Sequence, residues 1–147
     1  MAAKLEFLSD IEKKEIAHAI SHAEAHTSGE IRVYLEKRCK SDEKARAIKI
    51  FHQLKMHRTM FHTGVLIYIA YEDHAFAIIG DRGIHEKVSD AFWEEVKDRM
   101  KNYFVEGQFA EGIKLAVKEC GDHLKKYFPA DGNNPDELSN EVVIGEN

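Results

Sequence analysis

The centre of the sequence, residues 64–84, reads GVLIYIAYEDHAFAIIGDRGI. Residues 64–71 are almost all apolar, which is typical of a central strand that is covered on both faces. The polar residues 72–74 predict a tight turn, and residues 75–80 follow as the second arm of a hairpin. A glycine-containing turn, residues 80–83, then leads into a predicted helix. This stretch therefore predicts two antiparallel strands inside a layered protein.

The segments on either side of this hairpin alternate between helical and strand patterns. Ser9 and Glu12 form a capping-box pattern, which predicts a helix over residues 10–26. Residues 30–37, EIRVYLEK, alternate apolar and polar side chains, as a strand with one buried face does. Further helices are predicted over residues 41–57, from Gly83 to residue 104, and over residues 109–128, the last ended by Pro129.

The resulting order, α-β-α-β-β-α-α, predicts an α/β sandwich. We expect a small mixed sheet of three to four strands with helices on both faces. A right-handed β-α-β crossover makes the strands at 30–37 and 64–71 parallel, and the hairpin returns the third strand antiparallel. We expect residues 1–129 to form a single domain, and residues 130–147 to form a tail that packs on the domain or trails from it.

Composition narrows the class of protein. The chain has 147 residues, of which 44% are hydrophobic and 32% are charged, so a disordered chain is excluded. Its 21 basic and 26 acidic residues give a net charge of −5, which disfavours nucleic-acid binding. Cys39 and Cys120 form no zinc or CxxC pattern and are expected to be free thiols.

The sequence also predicts where the protein resides. The first ten residues, MAAKLEFLSD, contain no apolar run of the length that a signal peptide has. The longest apolar stretch, residues 65–71, is far shorter than the ~20 residues of a membrane helix. We therefore expect a cytoplasmic protein with no membrane segment, and we expect it to be a monomer.

One candidate site lies at the glycine turn. Parallel strands begin at the end of the sheet where an antiparallel third strand finishes, so the topology predicts that Glu30 and Asp81 are neighbours. Two carboxylates there could hold a hard cation, Ca²⁺ or Mg²⁺. An anion could bind beside them at the start of the next helix, through Gly80, Arg82 and Gly83. The alternative is structural: Asp81 caps that helix and Glu30 pairs with an arginine.

A second acidic cluster is predicted at the opposite end of the sheet. It comprises Glu36, Asp42, Glu43, Glu72, Asp73 and Glu106. The carboxyl ends of parallel strands are the usual ligand position in open α/β sheets, so Asp73 and Glu106 are rival candidates for the metal ligands. The alternative is that these are solvated turn carboxylates and that Asp42 serves as a helix N-terminal charge.

Other motifs are less specific. His18, His22 and His26 lie along one side of the first helix, where a pair could chelate Zn²⁺ or Ni²⁺, but the same pattern suits a solvated face. Trp93 follows Phe92 in an arrangement more typical of packing than of a ligand shelf. The sequence contains no nucleophile elbow, Walker loop or Rossmann fingerprint.

Several blocks of sequence together carry a family resemblance. They are TSGEIRVYLEKR (27–38), the central stretch 64–84, FVEGQFAEGI (104–113), LKKYFP (124–129) and ELSNEV (137–142). These blocks resemble the TPM domain family, whose founding members are a thylakoid-lumen phosphatase-like protein, a photosystem-repair protein and an acetylcholine-receptor modulator. Gly80, Asp81 and Gly83 match the family's glycine turn, whereas Asp73 and Gly107 match its polar hairpin turn and its helix-helix corner.

The resemblance implies a compact α/β sandwich that binds divalent cations, usually calcium, with a disputed acid-phosphatase activity in some members. Many relatives carry an N-terminal signal and a C-terminal membrane helix, and we expect neither here, because no apolar run in the sequence is long enough. We expect a calcium-binding module that acts through a partner, because no activated nucleophile is evident. The alternatives are a metal-assisted hydrolase of phosphomonoesters and a plain interaction domain with incidental metal binding.

Overall fold

The computed structural model describes residues 7–58, 62–130 and 140–145. Its elements, in chain order, are α1 (Asp10–Glu24), β1 (Glu30–Glu36), α2 (Glu43–Gln53), a 3₁₀ turn (Met56–Arg58), β2 (Gly64–Ala70), β3 (Ala75–Gly80), α3 (Arg82–His85), α4 (Asp90–Val105), α5 (Phe109–Tyr127) and β4 (Val143–Ile144). The predicted order of helices and strands is confirmed, except that one predicted helix is divided in two.

The four strands form one mixed sheet in the order β3-β2-β1-β4. β1 and β2 are parallel, and β2 and β3 are antiparallel, as the crossover and the hairpin predict. β4 pairs in parallel with residues 34 and 35 of β1, so part of the tail adds a short edge strand. β3 forms the opposite edge of the sheet.

Helices cover both faces of this sheet. α1, α4 and α5 pack against one face, where Ile31 and Val33 of β1 and Ile67 of β2 belong to the larger core cluster. α2 packs against the other face, on Leu66 and Tyr68 of β2. Every residue of β2 is buried, which confirms that it is a central strand covered on both sides.

The predicted helix from Gly83 to residue 104 is wrong as a single element. α3 ends at His85, and α4 begins at Asp90 after Ser89 has taken an extended conformation, with φ −75° and ψ 155°. The intervening turn leaves Val88 buried outside either helix. The buried side of α4 carries Trp93 together with Val96 and Met100.

The predicted helix over 41–57 is also shorter than expected. α2 ends at Gln53, and Lys55 then takes a left-handed conformation with φ 60°, which an α-helix cannot continue through. The 3₁₀ turn that follows buries Met56 completely, against the core formed by α2 and the sheet.

The structure can be compared with the expectations for the two cysteines and for the C-terminal tail. Cys39 and Cys120 are both free, and Cys120 is fully buried. Burial raises the pKa of the Cys120 thiol, which makes it an inert core residue. Residues 131–139 of the predicted tail lie outside the described residues. In the ranges that the structure describes, no helix combines the length and the apolar character needed to cross a membrane.

Candidate functional site at the glycine turn

The starts of β1 and β2 and the end of β3 meet at one end of the sheet, as predicted. The Glu30 N–H donates to the Thr63 carbonyl at 3.1 Å, and the Asp81 N–H donates to the Gly64 carbonyl at 2.9 Å. Glu30 and Asp81 therefore flank the first residue of β2. Two strand spacings of about 4.8 Å each separate their backbones, so the structure places the two carboxylates at the same end with β2 between them.

The Asp81 carboxylate uses one oxygen for structure and leaves the other without a hydrogen bond. Its Oδ1 accepts from the Arg82 N–H at 2.7 Å, so Asp81 caps α3, as the structural alternative proposed. Its Oδ2 is buried and accepts no hydrogen bond, since His62 Nδ1, 3.5 Å away, lies beyond ordinary hydrogen-bond length. Leaving a buried carboxylate oxygen unsatisfied is costly, which marks this atom as a position for a ligand or a bound water.

His62 links Asp81 to Arg82. The Nδ1 atom of His62 lies 3.5 Å from Asp81 Oδ2, and its Nε2 atom lies 2.8 Å from Arg82 Nη2. Because a guanidinium can only donate, Nε2 accepts this bond and the proton of the neutral ring is assigned to Nδ1. His62 also has φ 53°, a backbone conformation uncommon outside glycine.

The backbone N–H groups at the start of α3 already have acceptors within the protein. Arg82 donates to Asp81 Oδ1, Gly83 donates to the His62 carbonyl at 2.9 Å, and Ile84 donates to the Asp81 carbonyl at 2.9 Å. The anion site predicted at Gly80, Arg82 and Gly83 thus retains the exposed side chain of Arg82 as its accessible donor.

A cavity of about 240 Å³ opens beside Asp81, between α2, the outer edge of β3 and α4, and we call it the β3 cavity. It is lined by Lys44, Ile48, Phe51 and His52 of α2, by residues 78–82, and by Asp90, Trp93 and Glu94 of α4. Its charged lining comprises three carboxylates and two basic groups. The cavity therefore combines an apolar floor with a charged rim, as ligand sites commonly do.

Trp93 was expected to be a packing residue, and it is 3% exposed. A Cβ atom added to Gly80 would lie 3.2 Å from Trp93 Cζ2, so the ring rests directly against the β3 backbone. The indole Nε1 is buried and has no hydrogen-bond partner. The β3 cavity is thus lined by two residues, Asp81 and Trp93, that each carry an unsatisfied buried polar atom.

The rival acidic cluster at the other end of the sheet is largely committed to structure. Glu36 is 1% exposed, forms a two-bond ion pair with Arg46 at 2.9 and 2.8 Å, and accepts a hydrogen bond from the Tyr68 hydroxyl. Asp42 caps α2 through the Ala45 N–H at 3.0 Å.

The two rival ligand candidates occupy different surroundings. Asp73 accepts from the Cys39 N–H at 2.8 Å, and the residue before it, Glu72, lies 3.5 Å from the Arg38 guanidinium. Glu106 is exposed at the C-terminal end of α4. No described contact joins Asp73 to Glu106. Asp73 lies in the hairpin turn and Glu106 at the end of α4, as the sequence predicts.

His18 and His22 lie on the solvent side of α1, whereas His26 follows the helix, which ends at Glu24 rather than at the predicted residue 26. His18, His22 and His26 are exposed, as the solvated-face alternative expects, and the rings of His22 and His26 are 5.6 Å apart. Across residues 7–58, 62–130 and 140–145, no group of three or more His, Cys, Asp or Glu side chains is arranged to hold a metal ion.

Sequence reasoning missed His62, Asp90 and Glu94 as neighbours of Asp81. The hairpin register could have indicated His62, because the pairing that places Gly64 opposite Asp81 places residue 62 opposite residue 83. Asp90 and Glu94 could not be found in this way, since they reach the cavity only because the predicted long helix breaks before Asp90.

Comparisons with known proteins agree with this architecture. The chain superposes on the NMR structure of the BA42 protein from the psychrophilic bacterium Bizionia argentinensis with a TM-score of 0.90 and 44% sequence identity, covering 99% of this chain and 100% of that one. The N-terminal domain of a P. gingivalis protein shares the fold at 17% identity, with a TM-score of 0.70 over 85% of this chain and 81% of its own.

The N-terminal domain of a Corynebacterium glutamicum protein also shares the fold, with 13% identity and a TM-score of 0.63 over 80% of this chain and 74% of its own. No curated protein matches the chain. The profile of the TPM domain family matches residues 3–123, which is most of the sequence. The chain belongs to the TPM domain family.

Proposed function

We propose that this protein is a divalent-cation-binding module, with calcium as its ligand, that acts through a partner. The observation that carries the proposal is the buried Asp81 Oδ2 atom, which has no hydrogen bond and belongs to a residue lining the β3 cavity. A cation beside this oxygen would satisfy it and offset the cost of burying a charged group.

The chemistry of the neighbouring residues suits a hard cation. Asp90 and Glu94 add carboxylate oxygens to the cavity lining, and Ca²⁺ and Mg²⁺ prefer oxygen ligands. Glu94 is already paired with Lys97 at 2.6 Å, which leaves Asp81 as the principal anchor. Bound water would complete the coordination shell, because the described residues hold no cluster of three ligands.

Glu30 has a different place in this proposal. It flanks the same end of the sheet but does not line the β3 cavity, and it is 5% exposed. We therefore assign it a contribution through its charge, whereas Asp81 contacts the cation. Ca²⁺ is the better candidate of the two cations because its coordination is flexible, whereas Mg²⁺ demands a near-ideal octahedron.

The test is calorimetric titration of the metal-free protein with Ca²⁺ and, separately, with Mg²⁺. We expect a binding heat with millimolar Ca²⁺ and a higher melting temperature than in chelator, because a ligand that binds only the native state stabilises it by mass action. The proposal fails if no binding heat is measured and the melting curves with Ca²⁺ and with chelator coincide.

A metal-assisted phosphomonoesterase is the second candidate, favoured by one observation. Arg82 and Lys44 line the β3 cavity together with Asp81, so a phosphate and a cation could share it. In the described residues no Ser, Thr or Cys side chain lines this cavity to act as a nucleophile, and three carboxylates would oppose a dianionic substrate. Binding without efficient turnover is therefore the function we propose.

A further inference from the structure

The outer edge of β3 is unpaired in the described residues. β3 stands at one end of the sheet, whose order is β3-β2-β1-β4, and β2 pairs with its inner edge. The hydrogen bond from the Asp81 N–H to the Gly64 carbonyl shows which residues of β3 direct their backbone N–H and C=O groups toward β2. In an antiparallel ladder the bonded pairs alternate, so residues 75, 77, 79 and 81 point their backbone groups inward.

The same alternation turns the backbone groups of Phe76, Ile78 and Gly80 outward. Within residues 7–58, 62–130 and 140–145, no hydrogen bond reaches these outward groups. Ile78 is nevertheless only 5% exposed, and both Ile78 and Gly80 line the β3 cavity. Backbone groups in buried positions require partners, and none of the described residues supplies them, so this edge is suited to pair with an added strand.

The two walls of the β3 cavity differ in chemistry. The α2 wall presents Phe51 and the half-exposed Ile48 together with Lys44 and His52. The α4 wall presents the carboxylates of Asp90 and Glu94 beside Trp93, and Glu94 also pairs with Lys97. Successive side chains of an added strand would point alternately toward these two walls. Charge complementarity therefore selects a segment that alternates apolar residues, for the α2 wall, with basic residues, for the α4 wall.

We propose that the open edge of β3 binds an extended peptide segment of a partner protein, which pairs with Ile78 and Gly80 as an additional strand. The segment carries alternating apolar and basic side chains. Its backbone supplies the main-chain bonds that strand addition uses, and a carbonyl of the segment can accept from the unpartnered Trp93 Nε1. The inference names the partner class in the proposed function but does not require the cation.

The experiment titrates the ¹⁵N-labelled full chain with the capped hexapeptide Lys-Val-Lys-Val-Lys-Val, and with the matched peptide Glu-Val-Glu-Val-Glu-Val. We expect the basic peptide to bind at least about tenfold more tightly than the acidic one. At saturation, amide exchange at Ile78 and Gly80 should slow by at least about tenfold. The amide of Ile79 is an internal control, because its N–H already bonds to β2.

Two matched pairs of variants locate the contact. Glu94→Lys reverses a charge in the cavity lining, whereas Glu95→Lys makes the same change at the next residue, outside the lining. Ile48→Lys alters the α2 wall, whereas Ile11→Lys alters an isoleucine that is 72% exposed on α1. We expect the first variant of each pair to weaken peptide binding at least about tenfold and the second to change it less than about threefold.

Three results would overturn the inference. They are no binding of the basic peptide at about 1 mM, shifts that map away from β3, and protection of Ile78 and Gly80 that rises with protein concentration alone, which would identify a second copy as the occupant. Each titration is run in Ca²⁺ and in chelator. Peptide binding without a calcium effect would sink only the cation proposal, and calcium binding without peptide binding would sink only this one.

Discussion

At the scale of single residues, Asp81 combines two roles that compete for one carboxylate. Its Oδ1 holds the first turn of α3 in place, while its Oδ2 stays buried without a hydrogen bond. A capping role alone is served by one oxygen. The unbonded second oxygen therefore indicates that Asp81 also provides a ligand position. A substitution that keeps the capping oxygen but removes the charge can test this second role.

We expect Asp81→Asn to weaken Ca²⁺ binding at least tenfold, about 1.4 kcal/mol. Asparagine keeps an oxygen that can accept from the Arg82 N–H but removes the negative charge that attracts the cation. Glu30→Gln should weaken binding less, because Glu30 does not line the cavity. Calorimetric titration measures both affinities.

The matched controls are Asp73→Asn and Glu106→Gln, which make the same chemical changes at the opposite end of the sheet. Both should leave the calcium affinity within about threefold of the parent. Retained affinity in Asp81→Asn, together with loss in either control, would move the site to the rival end.

Glu36 and Arg46 give a second prediction at this scale. The Glu36 side chain is fully buried, and its hydrogen bonds hold the pKa of Arg46 above its usual range. Arg46→Met leaves that buried carboxylate without its charged partner, so unfolding by urea should show a loss of about 3–5 kcal/mol. Arg99→Met breaks the more exposed pair with Glu119 and should cost less than about 1 kcal/mol. Equal losses in the two variants would contradict this account.

At the scale of elements, β2 and β3 were predictable because their apolar pattern and their turn signals agree. The break before α4 was not predictable in the same way. A helix over residues 83–104 satisfies the local spacing of apolar residues, but the packed structure buries Val88 in a turn and begins α4 at Asp90. Tertiary packing therefore overrides the helical period at the point that brings Trp93 and Glu94 to the cavity.

In the candidate site, too, some contacts could be predicted from the sequence and others could not. The meeting of Glu30 and Asp81 at one end of the sheet followed from topology alone, whereas the approach of Asp90 and Glu94 depended on the helix break. Local sequence patterns record neighbours within an element and across a hairpin. They do not record the angle at which a helix crosses a strand from which it is separated by a turn.

The contact between α4 and α5 gives a pH-dependent prediction. His123 of α5 stacks on Phe92 of α4, with ring centroids 3.8 Å apart. Burial, and then the neighbouring charge of Lys126, lower the pKa of His123 below its ordinary value of 6.5. The unfolded chain therefore takes up this proton first as the pH falls, so the contribution of His123 to stability is complete above about pH 6.5 and is lost below it.

We expect the free energy of unfolding to fall less between pH 7 and pH 5 in His123→Gln than in the parent protein. His18→Gln is the matched control, because it makes the same substitution at an exposed histidine on α1, away from the contact between α4 and α5. Urea unfolding at several pH values measures the slopes. A parent-like slope in His123→Gln would show that other groups cause the acid sensitivity.

At the scale of the whole molecule, the placement of the sheet edges explains why the cavity lies where it does. β4 covers part of one edge, and the parallel pair β1 and β2 occupies the protected centre. The opposite edge, β3, is bordered by α2 on one face and α4 on the other. The cavity between these helices therefore places charged side chains beside main-chain groups of β3 that no described residue pairs.

The net charge of −5 and the lining of this cavity bear on catalysis. We expect the protein to hydrolyse p-nitrophenyl phosphate poorly, with kcat far below the ordinary enzymatic value of ~10 s⁻¹. Asp81, Asp90 and Glu94 repel a dianionic phosphate, and Arg82 and Lys44 must offset all three charges in the transition state. A cation beside Asp81 would reduce this repulsion and could supply a hydroxide, so the assay is run with Ca²⁺, Mg²⁺ and Mn²⁺ from pH 4 to pH 8. Asp81→Asn provides the background rate, and turnover near ~10 s⁻¹ that disappears in this variant would replace the binding module with a metal-assisted phosphatase.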